Sequence, residues 1–437
     1  MTSMGARRYR MSRFKRAAIA LMALAGLVAA GAGSASAQGM YYKEVVKDGR
    51  YYVFNIEVNV ERFETSGEMG VAITMPGAGP DGATVIGDSE RALQLFFFKH
   101  NIPMVVKDPP PPPPPAPAGR LSGVVFGDYY SIGSSHLANF NQQHGFWLRR
   151  AYLGYDHTFT PAVSMRLRLE MNSNGKMAGG SLTPYVKDAY LKWMFTARHG
   201  MTIGIQPSLT FEFTEAVWGL RHIEKTPLDL YRTDSSRDTG ISVAGPLNAA
   251  NTLKYAVQYG NESGNNAETD RFKSFRATAR YETNPGFSIE GMYGHFSRAG
   301  NADRTTAQVF AGYRAPRARA GFLYTLQKRK AANGAGPDFD LDIISGFGVF
   351  DVKRQKFTIF ARVDKVNDAC SDCSGIDYLP IATTAPFMTT IAGFEYYLQP
   401  SLRVSPNVEL VSYDNPPGGA PKPRRTSVAR LTFYWVW

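Results

Sequence analysis

The stretch LTFYWVW (431–437) closes the chain on two interleaved sets of side chains. Ala429, Leu431, Phe433, Trp435 and Trp437 share one parity, while Arg430, Thr432 and Tyr434 share the other. Successive side chains of a strand point to opposite sides. A strand here therefore has one greasy aromatic face and one more polar face. A buried edge strand would carry the same seven residues, so the rest of the chain has to decide.

Working back from the end, the chain from Leu121 onward is a series of such segments. In Val163–Asn172, Val163, Met165, Leu167, Leu169 and Met171 oppose Ser164, Arg166, Arg168, Glu170 and Asn172. In Lys187–Phe195, Ala189, Leu191, Trp193 and Phe195 oppose Asp188, Tyr190 and Lys192. Sixteen candidates follow, centred near residues 126, 151, 168, 190, 205, 243, 257, 278, 292, 311, 324, 346, 361, 393, 408 and 432. Their connections alternate in length. Short turns with Pro or Gly occur at 160–161, 198–200, 284–286, 315–317 and 399–401. Longer polar loops lie at 173–184, 213–237, 261–271, 328–339, 365–386 and 414–425. Short turns on one side and long loops on the other are the habit of a transmembrane barrel. A soluble sandwich has no reason to keep that alternation. The sequence thus predicts an all-β, 16-stranded antiparallel transmembrane barrel over 120–437. Lipid cannot satisfy an open sheet edge, so the sheet must close. Sixteen strands leave an aqueous lumen.

Composition agrees. Of the 437 residues, 44% are hydrophobic and 13% aromatic, yet beyond the N-terminus no run of about 18 apolar residues calls for a helical span. The start reads as an export signal, residues 1–37. Arg7, Arg8, Arg10, Arg13, Lys15 and Arg16 precede an apolar segment, and Ala35-Ser36-Ala37 offers a cleavage site before Gln38. Met11 begins an equally complete signal. The formal charge is +12. Residues 38–119 hold seven basic and ten acidic side chains, against 36 and 27 in 120–437, so the mature excess sits in the C-terminal part. A basic exported domain suits anionic solutes or lipopolysaccharide phosphates, and that compartment argues against nucleic acid.

Residues 38–107 read as a small α+β domain of two hairpin–helix units, placed in the periplasm. The first hairpin turns at Asp48-Gly49 and the second at Asp81-Gly82, and Ser89 caps a helix through Phe96. His100 stands alone there and reads as a surface residue. Pro109–Pro115 with Ala116-Pro117 make 108–119 a polyproline linker, extended over about 25–30 Å at about 3.1 Å per residue. Cys370 and Cys373, in the acidic loop NDACSDCSG, read as a local disulfide in an exported chain. No helix of a redox motif surrounds them, and a zinc site would need two further ligands. No cofactor is expected.

Several of these segments resemble the phosphate-selective porins: GFWLRRAYLGYD (145–156), KDAYLKW (187–193), TIGIQPSLTFEF (202–213), FARVD (360–364) and the aromatic C-terminus. The last also resembles the terminal signature of bacterial outer-membrane proteins. The resemblance implies an outer-membrane location, a homotrimer, and a third long loop, about 213–237, folded inward as a constriction. That loop carries Arg221, His222, Lys225, Arg232 and Arg237 with Glu215, Glu224, Asp229 and Asp234, nearly balanced in charge.

By alternation, the basic residues lining the pore include Arg150, Arg166, Arg168, Lys192, Arg276 and Arg280, with the acids Glu170, Asp188, Glu282, Glu290, Asp342 and Asp364 among them. Arg166 and Arg168 are the best pair for attracting an anion, while wall salt bridges are the ordinary role of the others. A mixed lining favours small hydrophilic solutes, with a weak anion preference that extends to phosphate. The leading expectation is a passive diffusion porin in ion transport. The second is an outer-membrane anchor whose 38–107 domain meets a periplasmic or cell-wall partner, or organises the oligomer. A lipid-acting barrel enzyme is the third: the six histidines beyond residue 120 are scattered, and none sits beside a serine and an orienting residue.

Overall fold

The computed structural model describes residues 41–103, 119–172, 181–283, 286–369 and 378–437. The expected signal peptide, the polyproline linker, and Cys370 with Cys373 lie outside the described residues. The chain divides into two compact units, Met1–Ala116 and Pro117–Trp437.

In the first unit, β1 (Lys43–Lys47) and β2 (Arg50–Phe54) form a hairpin through Asp48-Gly49, both at positive φ. Helix α1 (Glu57–Ser66) follows, ended by Gly67 at φ 74°. A second hairpin, β3 (Ile73–Met75) with β4 (Thr84–Gly87), leads to α2 (Glu90–Lys99). Ser89 Oγ accepts the Ala92 amide at 3.0 Å and so fills one of the helix's orphan donors. The sheet runs β1-β2-β4-β3 with β2 and β4 parallel at its centre. Phe54, Val60 and Phe63 form one core cluster, and Val53, Val85, Leu93 and Phe96 another. His100 is not a lone surface residue: its Nε2 lies 3.1 Å from Glu44 Oε1, and its ring packs on Phe96.

The second unit is a closed barrel. Its strands are β5 (Gly119–Ser134), β6 (His144–Thr160), β7 (Val163–Asn172), β8 (Thr183–Met194), β9 (Gly200–Pro207), β10 (Arg237–Pro246), β11 (Leu253–Gly260) and β12 (Ser274–Glu282). They continue as β13 (Phe287–Phe296), β14 (Arg304–Arg314), β15 (Ala318–Arg329), β16 (Phe339–Lys353), β17 (Phe357–Val366), β18 (Phe387–Gln399), β19 (Leu402–Tyr413) and β20 (Thr426–Val436). Each of the sixteen expected centres falls within one of them. Every neighbouring pair is antiparallel, and β20 closes on β5.

The faces sort as a lipid-embedded cylinder requires. Leu153, Leu167, Leu191, Val257, Ile344 and Leu431 are exposed on the outside, while Glu170, Arg276, Arg362, Glu409 and Thr432 are buried on the inside. Exposed aromatics gather beside the short turns, among them Phe159, Trp193, Phe195, Phe287, Tyr313 and Trp437. Such girdles sit where hydrocarbon meets headgroup. One inward assignment fails. Asp342 faces outward near the loop end, accepting from Tyr324 Oη at 3.3 Å and from Asn367 Nδ2 at 3.3 Å. Ile343 and Ile344 are both apolar, and Gly346 and Gly348 have no side chains, so the alternation in β16 gives no firm parity to count from.

The seam depends on a missing side chain. Gly123 and Trp437 exchange two backbone hydrogen bonds of 3.1 Å, and a Cβ on Gly123 would stand 1.9 Å from the Trp437 ring. Gly123→Val should therefore cost about 1–3 kcal/mol in overpacking and lower the yield of closed barrel on refolding in detergent. Unheated electrophoresis checks this, with Gly145→Val as control, since a Cβ added there would meet nothing within 4 Å.

Candidate functional site

The third long loop, 208–236, leaves β9 and folds into the lumen before joining β10. It carries two short helices, α3 (Glu212–Trp218), ended by Gly219 at φ 67°, and α4 (Pro227–Leu230), begun by a proline. Its apolar residues explain why it turns inward. Phe211, Phe213, Val217 and Leu228 bury against inward Phe310 and Leu323. Trp218, Leu220 and Ile223 bury against Val349, Phe360 and Ile391. Leu230 and Tyr231 join a third cluster with Ile343, Phe387 and Val411, completed by Leu379, Ile381 and Ala385 from the segment before β18. One side of the lumen is thus an apolar core, a filling that the alternation along the strands does not reveal.

An irregular loop inside a barrel must still satisfy its carbonyls. Wall side chains supply the donors. Arg149 Nη1 donates to the Ile223 carbonyl at 2.9 Å, Arg362 Nη1 to that of Lys225 at 2.6 Å, and Gln327 Nε2 to that of Thr233 at 2.7 Å. Side-chain pairs add grip: Tyr231 Oη donates to Asp364 at 2.9 Å, His222 lies 2.7 Å from Glu395, and Arg276 holds Asp234 at 2.6 Å.

Three cavities lie between this loop and the barrel wall. A mouth of about 690 Å³ at the loop end has Arg150, Lys187, Lys225, Arg232, Arg298 and Arg304 in its lining, against Asp229 and Asp234. A neck of about 220 Å³ shares Lys187, Asp229 and Ser236 with that mouth and adds Arg168, Arg221 and Arg237. Toward the short turns a vestibule of about 580 Å³ carries Lys192, Lys254, Arg280 and Arg314 against Glu212, Glu282 and Glu290.

The residues singled out from the sequence therefore separate. Arg150 bonds Glu170 at 2.5 Å and Tyr378; Arg168 bonds Asp188 at 2.5 Å, and Arg237 bonds Asp188 too. Arg221 reaches Asp229 at 3.4 Å and Glu215 at 3.5 Å, and Lys225 reaches Asp229 at 3.7 Å. Burial alone would raise the Asp229 carboxyl, but Lys225, Arg221, Arg150 and Lys187 bring it down to about 2. Of these cations, Arg168, Lys187, Arg221 and Arg237 line the neck, while Arg150 and Lys225 line the mouth. Arg232 belongs to the mouth, and Lys192 and Arg280 to the vestibule, where Arg280 stacks 4.0 Å from the Phe213 ring. Arg166 and Arg276 stand apart. Arg166 is held by Asp156 at 2.6 and 3.0 Å near the short turn, and Arg276 is fully buried between Asp234 and Asp238. The expected Arg166–Arg168 patch is thus divided between two acids.

Strict alternation misses two cations, for one reason. The β5–β6 register slips between Phe126 and Gly127, and the β7–β8 register slips between Arg168 and Leu169. Each slip is a bulge, which sets two residues against one and re-aims a side chain. Arg149 and Arg150 are consequently both buried inside, as are Lys187 and Asp188. Asn265, from the loop after β11, donates to the carbonyls of Val186 and Lys187 at 2.8 Å each and fastens the second bulge. Lys187 Nζ then lies 3.0 Å from Glu170 and 3.1 Å from Ser236. For the second bulge, the adjacent unlike charges of Lys187-Asp188 are a signal in the sequence.

Glu262, in the loop after β11, shares a cavity with Tyr185 and Ser235, which also line the mouth. Burial pushes its carboxyl up to about 7, with Asp234 pushing the same way against the pull of Arg298 and Arg276. The folded value lies above the ordinary one, so its stabilising effect is full below the usual carboxylate range and is lost as pH rises through about 7. Lowering pH from 8 to 6 removes one negative charge from the loop end. Zero-current potentials should then shift toward chloride, and Glu262→Gln should shrink that shift.

No family model matches the sequence, and no curated protein matches it. Solved structures match the barrel. The anion-selective porin from Comamonas acidovorans is 12% identical at a TM-score of 0.55, over 73% of this chain and 99% of that one. The Salmonella typhi OmpF complex with daunomycin is 11% identical at 0.53, over 73% and 97%. A trimer form of Vibrio cholerae OmpT is 14% identical at 0.51, over 73% and 99%. The barrel of this chain therefore has the fold of outer-membrane porins.

Proposed function

We propose that this barrel is an outer-membrane porin through which small hydrophilic solutes diffuse passively, anions in preference to cations. The neck carries the reading. Arg168, Lys187, Arg221 and Arg237 face Glu215 and Asp229 there, an excess of two positive charges beside a narrow path. Arg168 Nε and Arg221 Nη1 are enclosed and find no acceptor among the described residues. Charge at a constriction selects ions, and the apolar filling sets the size limit.

The ladder of cations continues at both ends, from Arg304 at the mouth to Arg314 in the vestibule. That layout favours many weak stops over one tight site, as conduction requires. A dedicated phosphate site has no more support than general anion passage. Assembly as a trimer is part of the same reading, on the pattern of the Vibrio cholerae protein. Proteoliposomes carrying the protein should swell in small solutes and more slowly as solute size grows. Liposomes that stay tight to every solute would sink the proposal.

A further inference from the structure

We propose that the mouth and neck together form a binding subsite for a hydroxyl-rich carboxylate, a sugar acid. This rests on the channel reading above and names the class of solute that the channel favours. Passing chloride needs cations alone, yet the mouth offers more. Arg150, Lys187, Lys225, Arg232, Arg298 and Arg304 supply its positive charge, against Asp229 and Asp234. Asn172, Thr183, Tyr185, Ser236 and Asn265 supply neutral groups that both donate and accept. The volume, about 690 Å³, falls within the roughly 300–1,000 Å³ of small-molecule sites and exceeds what an inorganic ion fills.

The two kinds of group are arranged along the path. Charge concentrates inward, where Lys187 and Ser236 belong to both cavities and Arg168, Arg221 and Arg237 follow. Neutral groups concentrate outward on β7, β8 and the loop carrying Asn265. A sugar acid has the matching polarity, with one carboxylate at an end and a row of hydroxyls behind it. Its carboxylate fits the neck, taking charge-assisted bonds from Lys187 and Arg221. Its hydroxyls stay in the mouth beside Thr183, Tyr185 and Asn265. A simple carboxylate satisfies only the inner half, and a neutral sugar only the outer half.

Single-channel recording of the full chain in planar bilayers tests this. Glucuronate, acetate, inorganic phosphate and glucose are added in turn on the loop side at fixed pH and KCl. The expected result is partial block by glucuronate with a half-blocking concentration at least tenfold below that of the other three. The double variant Thr183→Val/Tyr185→Phe, which keeps side-chain shape, should erase most of that tenfold gap while chloride-over-potassium preference stays as in the wild type. Equal block by glucuronate and acetate, stronger block by phosphate, or an unchanged gap in the double variant would overturn the subsite. A potassium-preferring wild-type pore would instead overturn the channel reading itself, so the two failures are separable.

Discussion

Exchanging Lys187 and Arg221 together for glutamate is expected to turn a chloride-preferring pore into a potassium-preferring one. The lining of the neck holds four cations and two acids, and the double exchange changes its net charge from two positive to two negative. A unit charge about 8 Å from a permeating ion contributes roughly 2 kcal/mol at an effective dielectric constant of 20. Salt screens part of this, leaving a shift in permeability ratio of roughly ten- to a hundredfold, enough to change the sign of the zero-current potential. Lys187→Gln alone should move it part of the way. The corresponding change at Arg166, whose guanidinium is tied to Asp156 away from the neck, should move it little. If the Arg166 variant acts as strongly as the Lys187 variant, the path runs elsewhere.

Removing the Trp218 ring should have the next largest effect. Trp218 is fully buried, packs 5.1 Å from Phe347 and 6.2 Å from Phe360, and donates to the Glu224 carbonyl at 2.9 Å. It pins the middle of the constriction loop against β16 and β17. Trp→Ala in such a place costs about 3–5 kcal/mol, and that loss falls on loop docking because Trp218 takes no part in the strand ladder. The barrel should still close and migrate as a folded species. Its conductance should at least double, with solutes excluded by the wild type now passing. An unchanged conductance would mean that this apolar seam does not set the bore.

How much of the barrel and its passage is legible in the sequence follows from the period of a strand. Where one face meets lipid, a two-residue repeat is enforced, and Val163–Asn172 or Ala429–Trp437 display it plainly. The same regularity places most inward arginines from residue order alone. It breaks where a bulge adds a residue, so alternation passes over Arg149 and Lys187 although it turns their neighbours Arg150 and Asp188 toward the lumen. It breaks again in β16, where paired isoleucines and side-chain-free glycines blur the count and Asp342 is wrongly turned inward. The filling of the lumen is hidden for a different reason. Phe211, Trp218, Leu230 and Tyr231 lie in a loop with no repeat, and only their contacts with Phe310, Phe360 and Phe387 show that they face protein. Which arginines are locked is equally hidden, since Arg276 and Arg221 differ in the acids that reach them across the barrel.

A wet, positively charged passage through a closed barrel has its most direct test in the zero-current potential of the purified wild-type protein across a tenfold KCl gradient in a planar bilayer. Discrete conductance steps with a potential whose sign reports chloride as the more permeant ion are the expected result. A bilayer that stays silent, or steps whose potential reports potassium as the more permeant ion, would contradict it.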